Sequence, residues 1–211
     1  MAWIDHFVAN PLTQSFIDVG ANIGVFSLYA MSQKSDLRVL AVEPASNTLE
    51  VLEANIAANG WGPRAITDSS PLSSKTESGY WVSASDRVAD SGHQFQFETS
   101  TNSKSKVVLA RSGDDLLSEH SLKPKFILKI DVDGHELEIL RGFENLFRSG
   151  EVLSTLVELE LDALSEAEAL MTSYGFSHDN KFEDLANHSR FRRQEKGSNV
   201  VNKVFSRRSE T

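Results

Sequence analysis

Cysteine is absent from this 211-residue chain, which excludes disulfides and thiolate metal sites. No apolar run approaches the ~20 residues that a membrane span requires. The stretch Met1 to Pro11 carries Asp5 and His6 and has no basic start ahead of an apolar segment, so no secretory signal is expected and a cytoplasmic protein is the default reading. Positive charge is short as well. The formal net charge is -9, and the basic runs are only Arg190-Phe191-Arg192-Arg193 and Arg207-Arg208. Binding nucleic acid needs clustered Lys and Arg to neutralise phosphates, so nucleic acid is not an expected partner. The two runs read as solvated faces. A 40% hydrophobic composition is enough for one substantial core, and residues 1–211 are expected to form a single domain.

The most informative stretch is Phe16-Ile17-Asp18-Val19-Gly20-Ala21-Asn22-Ile23-Gly24-Val25-Phe26-Ser27. Ser15 to Val19 is short, apolar and β-branched, as in a buried parallel strand, and Ile23, Phe26 and Ala30 then recur at helical spacing. Gly20 and Gly24 permit a sharp turn or close approach to a ligand, and the new helix is expected to offer unpaired N–H groups to an anion. The spacing G-x-x-x-G departs from the G-x-G-x-x-G of dinucleotide sites, and Asp18 stands two residues before the first glycine. A carboxylate there suits a ligand with a cationic group beside a carboxylate, such as the methionine end of S-adenosylmethionine (SAM). About 20 residues further on, Arg38 to Pro44 reads as a second strand ending in Glu43, which can take both ribose hydroxyls. The alternative is that Glu43 merely favours the N-terminus of the next helix.

These residues resemble the FkbM-type methyltransferases, a branch of the class I SAM-dependent methyltransferases. The matching blocks are FIDVGANIGVFSL (16–28), VLAVEPASNTLEVLEANIAANG (39–60), FILKIDVDGHELEILRGFENL (126–146) and VNKVFSRR (201–208). The resemblance implies an α/β Rossmann-like fold: a seven-stranded, mainly parallel sheet with helices on both faces and an antiparallel last strand pair. It also implies SAM as cofactor and methyl transfer to a hydroxyl of a sugar, glycan or natural-product small molecule. The chain departs from the family pattern in its very short segment 1–14 and in Asp133, where Glu is usual. The candidate cofactor-binding residues are Asp18, Gly20, Asn22, Gly24, Glu43, Pro44, Ser70 and Asp131.

In chain order, residues 1–14 suggest a short amphipathic helix with Trp3, Ile4, Phe7 and Val8 on one side. Ser46 is expected to cap a helix with Leu49, Leu52 and Ile56 on one face, stopping at Asn59-Gly60. Asn47 and Asn55 match the family pattern or anchor a loop. Periodicity weakens from Ala65 to Arg111, where pieces such as Tyr80-Trp81-Val82 and Phe95-Gln96-Phe97 suggest a hairpin insertion over 73–111. Its aromatic side chains either wall an acceptor pocket or form satellite core. Asp68 and Ser70 are candidates for the adenine edge, or simply turn residues. Asp114-Asp115 opens a short helix. Phe126 to Ile130 is a buried strand with Asp131 at its carboxyl end, the edge where open α/β sheets bind ligands. A helix is expected over His135 to Phe147, with Leu137, Leu140, Phe143 and Phe147 inward. Val152 to Leu161 is a strand whose Glu158 and Glu160 share one side. Ser165-Glu166-Ala167-Glu168 reads as a capping box for a helix ending at Gly175. A polar, charged long loop or hairpin from after Phe176 to Gly197 and a last strand from Asn199 to Phe205 complete the chain.

Methyl transfer to an alcohol needs alignment and removal of the hydroxyl proton. Asp131 is the first candidate base, Glu158 and Glu160 the second, and His135 the third. A divalent ion held by Asp131 with Glu158 or Glu160 is a less favoured route, and no His-rich or Cys spacing points to a transition metal. A nicotinamide-dependent oxidoreductase is disfavoured by the glycine spacing and by the lack of a Tyr-x-x-x-Lys pair. A SAM-binding protein without turnover is a further alternative.

Overall fold

Five consecutive buried residues, Ser15–Val19, form β1 and set the level of the whole sheet. The structure is a computed structural model that describes residues 1–82, 88, 94–96, 105–182 and 199–207, and structural statements refer to these. Phe97, the basic run at 190–193, Arg208 and residues 183–197 of the expected long loop or hairpin lie outside the described residues. The remaining strands are β2 (Arg38–Val42), β3 (Ala65–Asp68), β4 (Leu72–Ser73), β5 (Glu77–Val82), β6 (Gln94–Gln96), β7 (Ser105–Ser112), β8 (Phe126–Ile130), β9 (Val152–Glu160), β10 (Phe176–His178) and β11 (Val200–Arg207). The helices are α1 (Ala2–Ala9), α2 (Val25–Gln33), α3 (Ser46–Ala58), α4 (Gly113–Glu119), α5 (Glu136–Gly142), α6 (Glu144–Arg148) and α7 (Leu164–Ser173).

The main sheet has seven strands in the order β10-β11-β9-β8-β1-β2-β3. Neighbours from β3 across to β9 are parallel, whereas β11 runs antiparallel to both β9 and β10. This is the expected class I arrangement with an antiparallel end. Strand order reverses between β1 and β8, so the crevice for a ligand opens at their carboxyl ends. Val19 is in register with Val42 on one side and Ile130 on the other, which brings Gly20, Glu43 and Asp131 out at the same level. Alternation along the strands divides the core. Ile17, Val19, Leu128, Ile130 and Val157 pack with Phe143, Phe147 and Met171 on one face. Phe16, Val39, Ala41 and Ile127 pack with Trp3, Ile4, Phe7, Met31 and Leu52 on the other. Helix α1 is bound to that face through Trp3 Nε1, which donates to Ser154 Oγ at 2.9 Å.

A second sheet, in the order β4-β7-β5-β6, occupies the region of weak periodicity. Among the described residues no helix is long and apolar enough to cross a membrane.

Three helix expectations change. Ala45, not Ser46, is the N-cap of α3: its carbonyl accepts from Thr48 N at 3.0 Å and Leu49 N at 2.8 Å, so Ser46 is already the first helical residue. Helix α7 starts at Leu164 after Ala163, so Ser165 lies inside it and the capping box does not form. The single helix expected over 135–147 is two helices broken at Phe143. Gly142 lies so close to the Ser73 carbonyl that a Cβ would overlap it. Asp114 accepts hydrogen bonds from Asn145 N at 2.8 Å and Leu146 N at 3.0 Å, restarting the chain as α6. The buried face of α5 is Glu136, Ile139 and Leu140, with Leu137 only partly buried.

Candidate active site

The turn from β1 to α2 spends its backbone donors internally. Gly20 N and Ala21 N both donate to Val42 O at 3.0 Å, Asn22 N to Glu43 Oε2 at 2.9 Å, Ile23 N to Asn22 Oδ1 at 2.8 Å, and Gly24 N to Ala21 O at 2.9 Å. Over residues 20–24, ahead of the first turn of α2, the backbone N–H groups are therefore already bonded within the protein. The turn is a self-satisfied frame, closed from outside by Asn55 Nδ2, which donates to Ile23 O at 2.9 Å. Both glycines are required by packing. Gly20 has φ of 74° and a Cβ there would overlap the Asp131 carbonyl oxygen, and a Cβ on Gly24 would meet Leu52 Cδ1 at 2.5 Å. Gly20 thus lets β1 and β8 close together at the switch point, and Gly24 lets α2 lie on α3.

A cavity of about 430 Å³ opens at this point, within the range of roughly 300–1,000 Å³ usual for small-molecule sites. Of the expected cofactor residues, Gly20, Asn22, Glu43, Pro44 and Asp131 line it. Val42, Pro71 and Leu72 add apolar wall beside Glu43, while Trp81, Asp133, His135 and Ile139 line it further on and Val25, Phe26 and the stem of β8 at Lys129 also reach it. Trp81 comes from β5, so the second sheet does contribute an aromatic wall.

Other expected residues lie elsewhere. Asp18 is fully buried beneath the cavity, where Oδ2 accepts from Ser27 Oγ at 2.6 Å and Oδ1 faces Lys129 Nζ at 3.6 Å. It does not itself line the cavity, although Lys129, which it faces, does. Gly24 is shielded by Leu52. Ser70 does not line the cavity: its N–H closes a turn on Asp68 Oδ1 at 2.7 Å, and Asp68 Oδ2 is 3.5 Å from His120 Nε2. Neither Asp68, the last residue of β3, nor Ser70 lines the cavity, whereas the neighbouring Pro71 does. Glu158 and Glu160 do not line the cavity either, because they lie along β9 opposite Asn202 and Val200 of β11.

Two residues escaped the reading of the sequence. Lys129, 2% exposed in the middle of β8, reaches Asp131 Oδ2 at 3.0 Å and lies 4.5 Å over the Phe26 ring. Burial alone depresses its ammonium, but Asp18 and Asp131 outweigh this and the net direction is upward, so Lys129 stays charged. The available signal was a lone charge inside the apolar run Phe126-Ile127-Leu128-Lys129-Ile130, which a buried strand tolerates only if paired. Glu136 is the other. It is 4% exposed and its carboxyl is pushed up to about 7 by burial, although the amides of Glu136, Gly134 and Val132 pull the other way.

His135 places Nε2 3.3 Å from Ser73 Oγ, and burial pushes its imidazole below the ordinary range, with Glu138 and Glu77 opposing. Its neutral form, able to accept a proton, is favoured at neutral pH. Among the described residues no group of three or more His, Asp or Glu side chains is arranged to hold a metal ion. The cavity therefore offers a carboxylate at the end of β2, a second at the end of β8, apolar surfaces between β2 and β4, and a neutral imidazole.

The sequence matches the family described as the methyltransferase FkbM domain over residues 18–178. It is 30% identical to the hexuronic acid methyltransferase AglP of Haloferax volcanii over 63% of this chain and 51% of that protein. It is 24% identical to methyltransferase 1 of Beauveria bassiana, covering 79% of this chain and 74% of the relative. The chain thus spans about half the length of the first relative and three quarters of the second. Among solved structures, the methyltransferase FkbM of Methylobacillus flagellatus superposes with a TM-score of 0.53 at 15% identity, over 92% of this chain and 43% of that one. A precorrin-6y C5,15-methyltransferase of Geobacter metallireducens gives 0.53 at 11% identity, over 99% and 86%. Those two likenesses concern the fold.

Proposed function

The chain belongs to the FkbM methyltransferase domain family, and from that premise we propose that it transfers a methyl group from SAM to a hydroxyl of a sugar, glycan or natural-product small molecule. The observation that carries the cofactor reading is the spent amides of residues 20–24. A turn that cradles a diphosphate must direct N–H groups at it. This turn has none to direct over those five residues and instead stands between two carboxylates, which suits an adenosyl ligand carrying an ammonium group. The Haloferax volcanii relative, named for hexuronic acid methylation, supports a carbohydrate acceptor.

Bound there, SAM supplies a methyl group on a cationic sulfonium whose departure leaves a neutral thioether. Glu43, fixed by the Asn22 and Ala45 amides, would hold the ribose hydroxyls. Val42, Pro44, Pro71 and Leu72 would flank the adenine and exclude water, and Asp131 would receive the ammonium of the amino-acid end. We assign proton removal from the acceptor to His135, since Asp131 is committed to Lys129 and Glu158 and Glu160 do not line the cavity. A positioned base of this kind contributes ~10²-fold or more. Trp81 and Asp133 lie on the same wall as His135 and are the residues available to the acceptor.

Calorimetric titration with S-adenosylhomocysteine, NAD and a Glu43→Ala variant tests this. The expected result is binding of the adenosyl ligand, weakened at least about tenfold in the variant, and no binding of NAD. Preference for NAD refutes the reading. With an acceptor in hand, His135→Ala should lose turnover while keeping its affinity for S-adenosylhomocysteine; retained turnover would return the base role to Asp131.

A further inference from the structure

A lysine inside a fully buried strand is destabilising unless its charge is met. Lys129 is met by three groups on three elements: Asp18 of β1 at 3.6 Å, Asp131 after β8 at 3.0 Å, and the Phe26 ring of α2 at 4.5 Å. The two carboxylates differ in exposure. The Asp18 side chain is 0% exposed and the Asp131 side chain 40% exposed, so Asp131 is held from below by the ammonium and still faces the cavity. Asp18 is itself fixed by Ser27 in the first turn of α2. The chain of contacts therefore runs from the glycine turn and its helix, through Asp18 and Lys129, to the Asp131 carboxylate at the end of β8, paired from beneath and presented above.

We propose that Lys129 is a positioning residue that fixes the Asp131 carboxylate at the cavity wall as the receiver of the ammonium group of an adenosyl ligand's amino-acid end. This rests on the cofactor reading above and adds to it the device that sets the ligand's amino-acid half. An aspartate at the start of a loop has rotamers pointing both into and away from the cavity. The ammonium selects one and stands between the half-exposed Asp131 carboxylate and the buried Asp18 carboxylate, which would otherwise face each other unscreened.

The test compares two probes, S-adenosylhomocysteine and 5′-methylthioadenosine, which shares the adenosine and thioether but lacks the amino-acid end. Both are titrated calorimetrically into the unaltered protein and into Lys129→Met, Lys129→Arg and Asp131→Asn. The expected result is that the unaltered protein prefers S-adenosylhomocysteine and that Lys129→Met loses about tenfold or more of that affinity, while 5′-methylthioadenosine changes less than about twofold. Lys129→Arg, which keeps the cation, retains part of the preference. A merely structural lysine would weaken both probes together, and that outcome overturns the proposal. Asp131→Asn leaves Lys129 paired to Asp18 and so reports even if Lys129→Met does not fold; its preference must collapse in the same way, and a preserved preference overturns the assignment. Equal affinity of the unaltered protein for the two probes overturns this inference and the assignment of the ammonium to Asp131, while the adenosyl part of the cofactor reading stands. Binding of neither overturns the cofactor reading and this inference with it.

Discussion

Lys129 and Glu136 are both buried charges, but they are tolerated by different means. Lys129 is matched by carboxylates, so its charged form is retained. Among the described residues Glu136 is met by backbone amides, and burial lifts its carboxyl from 4.5 to about 7. The consequence for stability has a definite sign. Below about pH 4.5 the group is protonated whether the chain is folded or not; between there and about 7 the folded protein holds the proton more tightly. Stability is therefore fully present at low pH and falls as pH rises through about 7, by an amount on the order of 3 kcal/mol for this group. Glu136→Gln keeps the acceptor oxygen and removes the titration. Urea unfolding at about pH 5 and about pH 8 should show a smaller decline in the variant than in the unaltered protein. Identical declines would mean that Glu136 ionises without cost.

At the scale of elements, the division between α5 and α6 shows how tertiary contacts override local pattern. Residues 135–147 have the apolar spacing of one helix, and nothing in the spacing marks Phe143 as a break. The break comes from outside. Ser73 packs on Gly142, and Asp114, some 30 residues earlier in the chain, accepts the Asn145 and Leu146 amides. Asp114 thus caps α6, whereas the first turn of its own helix α4 is capped by Ser112, which accepts from Asp115 N at 3.0 Å. Removing such a cap costs ~1–2 kcal/mol. Asp114→Ala should lower the unfolding free energy by about that much and Asp114→Asn by less, since one acceptor oxygen remains. Equal stability of Asp114→Ala and the unaltered protein in chemical denaturation would show that α6 does not depend on this cap.

Across the whole molecule, the order of strands decides which acids can act together. Glu43 and Asp131 are far apart in sequence, yet β2 and β8 both flank β1 in register and end beside it. Glu158 and Glu160 are nearer to Asp131 in the chain but run along β9 beside β11. Glu158→Gln and Glu160→Gln should each change affinity for S-adenosylhomocysteine by less than about twofold, as for substitutions away from a site. A loss of about tenfold in either, measured calorimetrically, would bring the end of β9 into the cavity.

The glycine turn, the acid ending the second strand and the apolar run before Asp131 are local patterns with local causes. The sequence by itself therefore determined the fold class, the family and the edge of the sheet where the cavity opens. Gly20 and Gly24 were legible as positions needing no Cβ, but what fills the space, Asp131 and Leu52, is set by strands and helices meeting across the sheet. The tertiary structure alone decided that the turn's amides are spent on Val42 and Glu43, that Asp18 lies under the site instead of in it, and that Lys129 joins two acids more than 100 residues apart in the chain. The reason is physical: a hydrophobic period specifies which face of an element is buried, whereas a hydrogen bond or ion pair between elements depends on their register, and register is settled only when the sheet is assembled.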